Sequence, residues 1–325
     1  MQRILVTGAA GFIGQKVSEF LLNDGIEVIG VDNLCETYDV RLKEWRLSQL
    51  ENQPGFYFRR VDICDSDMLR ETFNESTPLD GVIHLAARAG VRQSLENPAA
   101  FIQTNITGTM NLLECCRQFE VPKFVLASTS SIYGANAPLP TPETADSSHP
   151  LQPYAASKKA AEVLCHSYHH NYGLDVTVFR YFTVYGPAAR PDMAMFRFTQ
   201  WIAEDRPLRL NGDGTQSRGF TYVDDIARGT ILGLKPLGYD VINLGGHEEL
   251  RMLDLIHMME SLLQKKARIV TLPFNQADMR TNLADITRAR QALGWEPLVS
   301  VQEGVRNLVE WYLRERAWTS LVRTE

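Results

Sequence analysis

The apolar run Ile4-Leu5-Val6 ends in Thr7-Gly8-Ala9-Ala10-Gly11-Phe12-Ile13-Gly14, and a helical pattern of Val17, Phe20, Leu21 and Leu22 follows at once. Asp24-Gly25 stops that pattern, and a second apolar run, Val28-Ile29-Gly30-Val31, finishes at Asp32. Strand, glycine turn, helix and strand make a βαβ unit, which narrows the possible folds sharply. Glycines spaced Gly8-x-x-Gly11-x-x-Gly14 let the backbone approach a pyrophosphate, which rests where helical amide groups point outward. Phe12 and Ile13 lie in that turn, and Asp32 with the adjacent Asn33 stands where a carboxylate accepts bonds from adenosine ribose hydroxyls. A carboxylate there repels a 2′-phosphate, so the expected cofactor is NAD and not NADP.

Strand and helix signals keep alternating. Phe56-Tyr57-Phe58 leads to Val61-Asp62-Ile63, and Val82-Ile83-His84-Leu85 leads to Ala86-Ala87. A helical stretch runs from about Pro98 to Phe119, and Phe124–Ala127 and Val176–Phe179 read as further buried strands. This predicts an α/β fold with a doubly wound, Rossmann-type parallel sheet, whose ligands collect beyond the carboxyl ends of the strands. Asp62, Ala86, Ala87, Thr129 and Tyr181 all fall at such ends. After about residue 183 the alternation weakens, with helices expected near 251–264 and 300–315. The expected division is a dinucleotide domain over 1–182, with parts of about 220–248 returning to it. Residues 183–325 form a smaller, partly interleaved substrate domain. The tail after Trp318 is expected to fray.

Composition excludes several classes. The net charge of −6 offers no basic field for nucleic acid or anionic lipid. No apolar run approaches the ~18 residues of a membrane span, and the amino-terminal stretch reads as a strand and not a signal peptide. Five cysteines, Cys35, Cys64, Cys115, Cys116 and Cys165, are odd in number and lack Cys-x-x-Cys spacing. Reduced thiols in a cytoplasmic protein are expected.

Pro153 opens a helix on which Tyr154 and Lys158 share one face, four residues apart. A cation held ~4 Å from a phenol at an effective dielectric of ~20 is worth about 4 kcal/mol, or roughly three pKa units. That would bring Tyr154 into the range of general acid–base work. Thr129 ends the strand before Ser130-Ser131 and can reach the same cleft. The proline-rich segment from Pro138 to Pro150 is expected to loop over the site. His166, His169 and His170 cluster near Cys165, but no set of carboxylates accompanies them, and a packed or solvated helix face is expected in place of a metal site.

The glycine turn, Asp32, Asp62-Ile63, His84-Leu85-Ala86-Ala87, Asn105-Ile106-Thr107-Gly108-Thr109, Thr129 and Tyr154-x-x-x-Lys158 together resemble an extended short-chain dehydrogenase/reductase, a family of NAD-dependent nucleotide-sugar enzymes. Tyr38–Lys43, Ala89–Arg92, Arg180–Pro187 and Arg190–Ala194 resemble its UDP-glucuronate 4-epimerase subgroup. The resemblance implies that Tyr154 removes the sugar's C4 hydroxyl proton as hydride leaves C4. Lys158 would bind nicotinamide ribose hydroxyls, and Thr129 would hold the C4 oxygen. Leu85, Asn105 and Tyr181 would join the residues above at the cofactor.

Ser130-Ser131 follow Thr129 where the family's dehydratases and decarboxylases carry an acid, which argues for epimerisation without elimination. A 4-keto glucuronate is a β-keto acid, so hydroxyls of Ser130, Ser131 and Thr183 are expected to hold its carboxylate out of alignment with the carbonyl. Arg218 matches the family's ligand for the substrate pyrophosphate. Arg190 and Arg92 match substrate-side arginines, and Asp278 matches a uridine-ribose contact. Two stretches depart from the family pattern, Ala188-Ala189 and Asn275-Gln276-Ala277. The partners implied are a UDP-sugar and a second copy of the chain, paired through helices near 98–118 and 153–172. A 4-epimerase of another UDP-hexose, a UDP-glucuronate decarboxylase and a non-catalytic NAD-binding protein remain as alternatives.

Overall fold

The computed structural model describes residues 2–246, 248–274 and 281–324. Among the described residues twelve strands follow in chain order: β1 (Arg3–Thr7), β2 (Glu27–Asp32), β3 (Phe56–Arg60), β4 (Gly81–His84), β5 (Lys123–Thr129), β6 (Asp175–Tyr181), β7 (Thr183–Tyr185), β8 (Pro207–Asn211), β9 (Ser217–Tyr222), β10 (Tyr239–Leu244), β11 (Glu249–Arg251) and β12 (Arg268–Leu272). Seven of them form one sheet in the order β10-β6-β5-β4-β1-β2-β3, every pair parallel. This is the doubly wound sheet that the alternation predicts.

A parallel sheet is covered on both faces, so its strands are apolar throughout. Successive side chains point to opposite faces. Ile4, Val6, Val28, Ile83 and Val125 accordingly pack into one core, while Leu5, Ile29, Val82, Phe124 and Leu126 pack into the other. Helices Phe12–Asn23 and Val223–Leu232 lie together over the first face. Ser66–Ser76, Gly108–Gln118 and Pro153–Tyr172 cover the second. Each fully buried Leu, Ile or Phe contributes about 1.5–3 kcal/mol, so both cores hold the sheet in place.

A third core joins the remaining chain. Phe196, Trp201, Leu255, Leu308, Trp311 and Tyr312 gather there with Leu42 from helix Arg41–Ser48. The sheets of this part are small, β11-β9-β7 and β12-β8. The helices expected near 251–264 and 300–315 run over Met252–Leu263 and Val301–Arg314.

Three details differ from the sequence reading. The helix expected from Pro98 to Phe119 carries a π-helical turn at Gln103–Thr107 between α-helical Pro98–Ile102 and Gly108–Gln118, a distortion common beside functional sites. The proline-rich segment does not loop over the cleft along its length. Thr141 donates its amide to Leu283 and its carbonyl accepts from Asn243, which draws the segment across the end of β10. The carboxyl-terminal tail is pinned where fraying was expected. Gln200 donates to the carbonyls of Thr319 and Val322 at 2.9 and 2.8 Å, Arg41 donates to Leu321 O, and Thr324 donates to Gln200. Polar partners distant in sequence hold it, and its own residues carry no trace of them.

Candidate active site

One large cleft, about 1340 Å³, runs across the carboxyl ends of the strands of the main sheet and into the smaller part of the molecule. Its first wall is the glycine turn. Gly8 sits at φ +72°, and a Cβ there would meet Ala86 N at 2.7 Å. A Cβ on Gly14 would lie 2.0 Å from Gly8 O. The turn is thus closed by backbone against backbone, which only glycine permits. Helix Phe12–Asn23 begins at Gly11 without a side-chain cap, so its outward amide groups remain open to an anion in the cleft.

Asp32 ends β2 and is held by amides of Ala10 and Leu34 at 3.2 and 2.8 Å. Asn33 donates to Asp62 at 2.8 Å, and the amide of Cys64 donates to the same carboxylate, holding its pKa below the usual range despite burial. Buried His84, kept neutral by burial, lies between the hydroxyls of Thr7 and Thr109. Thr7 in turn accepts the Ala86 amide at 3.2 Å. Leu85, Ala86, Ala87 and Ile63 line the same wall. An uncapped helix start, a closed glycine turn and a carboxylate at the end of β2 are a donor and acceptor set that fits a dinucleotide.

Tyr154 and Lys158 rise from the helix Pro153–Tyr172. Lys158 is only 2 % exposed, and burial brings its ammonium down to about 8. Tyr154 lines the cleft with its ring edge-on to Phe101. Burial raises its pKa, offset in part by a hydrogen bond with Thr129 and by the Arg190 guanidinium. This corrects the expectation that the Lys158 ammonium would acidify the phenol, since Thr129 and Arg190 are the groups that lower its pKa. The carboxylate of Glu162, further along the helix, acts on the Lys158 ammonium in the opposite sense to burial. Thr129 also donates to Ser131 Oγ at 3.2 Å and accepts the Ser131 amide, which fixes the turn Ser130–Tyr133.

Ser130 accepts a bond from Asn282 at 3.1 Å. Thr183 opens β7, and Thr183, Ser130 and Ser131 all line the cleft. Arg190 is paired with Asp192 at 2.5 Å. Arg218 lines the cleft and donates to Ser217 O, and Arg92 sits exposed at its rim. Gly8, Gly11, Phe12, Ile13, Gly14, Asp32, Asn33, Asp62 and Tyr181 share the cleft with these groups. The Tyr181 hydroxyl, however, is bonded to Thr230 at 2.7 Å.

Asn105 is the expected cofactor residue that stands behind the wall. It is fully buried, accepts the Arg88 amide at 2.8 Å, and donates to Arg88 O and Ser157 Oγ. With its amide occupied on both sides, it shapes the loop after β4 and does not face the cleft. Asp278 lies outside the described residues. His166 and His169 pack their rings on Tyr239, His169 also bonding to Leu174 O.

Several cleft residues were not expected at the site individually, although Tyr38, Lys43 and Asp192 lie within the stretches that resemble the subgroup. Lys43 lies 4.0 Å from Asp32 and donates to Cys35 Sγ at 3.2 Å. Tyr38, Asp192, Asn282 and Thr324 also line the cleft. Asp192 could have been found as an acid two residues from Arg190. Asn282 could not, lying 152 positions from the serine it holds.

Residues 4–245 match the model of the NAD dependent epimerase/dehydratase family. The chain is 54% identical over 308 residues to a UDP-glucuronate 4-epimerase of Thermodesulfobacterium geofontis, covering 94% of this chain and 95% of that one. It is 41% identical over 330 residues to UDP-glucuronate 4-epimerase 3 of Arabidopsis thaliana, covering 95% and 76%. Among solved structures, the UDP-glucuronic acid 4-epimerase of Bacillus cereus in complex with UDP-glucuronic acid and NAD superposes with a TM-score of 0.90 at 38% identity, covering 97% of this chain and all of that one. A UDP-glucose 4-epimerase of Thermotoga maritima with UDP-glucose gives 0.89 at 34% identity, with 97% and 100% covered.

Proposed function

The chain belongs to the NAD dependent epimerase/dehydratase family, and from that premise we infer that it is an enzyme interconverting UDP-glucuronate and UDP-galacturonate by NAD-dependent epimerisation at C4. The observation that carries this reading is the meeting, in one cleft, of the glycine turn and Asp32 with Thr129, Tyr154 and Lys158 on one side and Thr183, Arg190 and Arg218 on the other. The 54% identity to a UDP-glucuronate 4-epimerase and the fold shared with one solved with UDP-glucuronic acid and NAD support the same substrate.

Gly8, Gly11 and Gly14 with the open helix start would hold the NAD pyrophosphate, and Asp32 the adenosine ribose. Bound NAD supplies the acceptor of hydride from C4 and its donor on return. Tyr154 takes the C4 hydroxyl proton and gives it back, with Arg190 and Thr129 offsetting the burial that opposes its ionised form. The sugar passes through a 4-keto intermediate, and its return from the opposite face inverts C4. Ser130, steadied by Asn282, presents its hydroxyl with those of Ser131 and Thr183 to the sugar's carboxylate. No acid stands at Ser130 or Ser131 to drive elimination.

The chain acts as a homodimer in this reading, supported by exposed Ile102, Met110, Val163 and Tyr172 on the two helical segments over 98–118 and 153–172. A cytoplasmic setting is supported by five free cysteines. No described helix is long and apolar enough to cross a membrane. Incubation of the purified protein with UDP-glucuronate, and separately with UDP-glucose, tests the function directly. Proton NMR should show UDP-galacturonate without carbon dioxide release. Conversion of UDP-glucose alone would move the assignment to a neutral-sugar epimerase.

A further inference from the structure

Helix Arg41–Ser48 carries a guanidinium with no exposed surface, that of Arg46. A buried cation ordinarily needs a carboxylate, yet none among the described residues pairs with it. Its donors go to neutral oxygens from three separate parts of the chain. Nε and Nη2 both donate to Ala188 O, at 2.9 and 2.6 Å, and Nη1 donates to Ala10 O at 3.2 Å and to the Tyr38 hydroxyl at 2.7 Å.

Each partner belongs to the cleft or its frame. Ala10 lies within the glycine turn, and Tyr38 lines the cleft. Ala188 is buried and sits at φ +52°, a left-handed conformation that alanine resists. The corner Gly186–Arg190 therefore holds a shape that its own residues do not favour, and the forked bond to Ala188 O restrains it. Two residues beyond, Arg190 projects into the cleft, where its charge acts on Tyr154.

We propose that Arg46 is a positioning residue that locks the corner bearing Arg190 to the dinucleotide turn, so that the cationic side of the substrate pocket keeps a fixed place relative to the cofactor wall. The proposal rests on reading the cleft as a UDP-glucuronate site. A planar fork suits the task, because one rigid group can meet three oxygens at once, whereas an ammonium on a flexible stem cannot hold them in the same geometry.

The test is a double-mutant cycle read by binding. In a Tyr154→Phe background, where turnover is blocked, calorimetry on the NAD-loaded protein gives the affinity for UDP-glucuronate, with bound NAD and the melting temperature measured alongside. Arg46→Met should weaken that affinity by about ten- to a hundredfold, the range for a lost bond from a charged donor. NAD content should stay near that of the parent. Arg46→Lys should fall between the two. Added to Arg190→Gln, Arg46→Met should cost less than about a further twofold, because both act through one side chain. In the Tyr154-intact enzyme the loss should appear mainly in KM.

Parental affinity in Arg46→Met, or a loss that adds in full to that of Arg190→Gln, overturns the proposal. Should Arg46→Met not fold, the same cycle is read on Arg46→Lys with the same criteria. A parent protein that does not bind UDP-glucuronate would instead refute the substrate assignment, so the two failures are distinguishable.

Discussion

Lys158 offers the most direct check on the physics of the site. The side chain is almost wholly buried, and burial lowers its pKa from the ordinary 10.5 to about 8. That difference corresponds to about 3 kcal/mol against the charged form in the folded protein. The sign follows from proton counting. Between pH about 8 and 10.5 the unfolded chain keeps a proton on this lysine that the folded chain has released, so stability rises with pH across that window. Below about 8 the whole cost is present.

Lys158→Met keeps the length of the side chain and removes the charge. The variant should therefore be more stable than the parent at neutral pH, by up to about 3 kcal/mol. The advantage should shrink as pH rises from about 8 towards 10.5. Urea unfolding followed by tryptophan fluorescence, at matched NAD content and a series of pH values, measures the difference. A gap that stays constant across the window would refute the burial argument. The same ionisation should appear in turnover, with kcat of the parent falling by a one-proton step as pH passes about 8, if the ammonium is the form that works.

Three further outcomes follow from the geometry. Tyr154→Phe should lower kcat by about 10²- to 10⁴-fold or more while bound NAD, assayed after denaturation, is unchanged; near-parental turnover would remove the assigned base. Thr183→Val should raise the share of decarboxylated pentose product seen by chromatography, and an unchanged product ratio would count against hydroxyl control of the carboxylate. Glu162→Gln leaves Arg180 buried beside a neutral group in place of the carboxylate it now meets at 2.8 and 3.0 Å. It should cost about 3–5 kcal/mol in urea unfolding, and a loss below about 1 kcal/mol would show that the ion pair is dispensable.

The parts of this site that were legible in the sequence share a physical origin. A parallel strand must end where a loop begins, and ligands gather at that end, so Thr129, Ala86, Ala87 and Tyr181 could be placed from the apolar runs alone. The glycine turn was legible because a Cβ at Gly8 or Gly14 would collide with backbone at 2.7 and 2.0 Å, leaving sequence little choice. Asn105 was read to the correct neighbourhood and the wrong face. A helix that tightens or loosens by one residue rotates its side chains, and Asn105 lies within the π turn Gln103–Thr107. The pinned tail and the Asn282–Ser130 bond rest on contacts across more than a hundred residues, which no local pattern encodes.

At Tyr154 sequence pattern gives way to environment. Spacing of four places a phenol and an ammonium on one face, and a Coulomb estimate in a uniform medium then predicts an acidified tyrosine. The folded chain alters both assumptions. Burial penalises the phenolate and the ammonium alike, so that Lys158 comes down to about 8 while Tyr154 goes up. The charge that reaches the phenol comes from Arg190, on a corner 36 residues away that is bonded through Ala188 to Arg46. A proton shuttle at this tyrosine therefore depends on the substrate wall as well as on its own helix. Arg190→Gln should raise the phenol's pKa further, and the acid limb of kcat/KM should move to higher pH. An acid limb that stays in place would show that the helix partner alone sets the base.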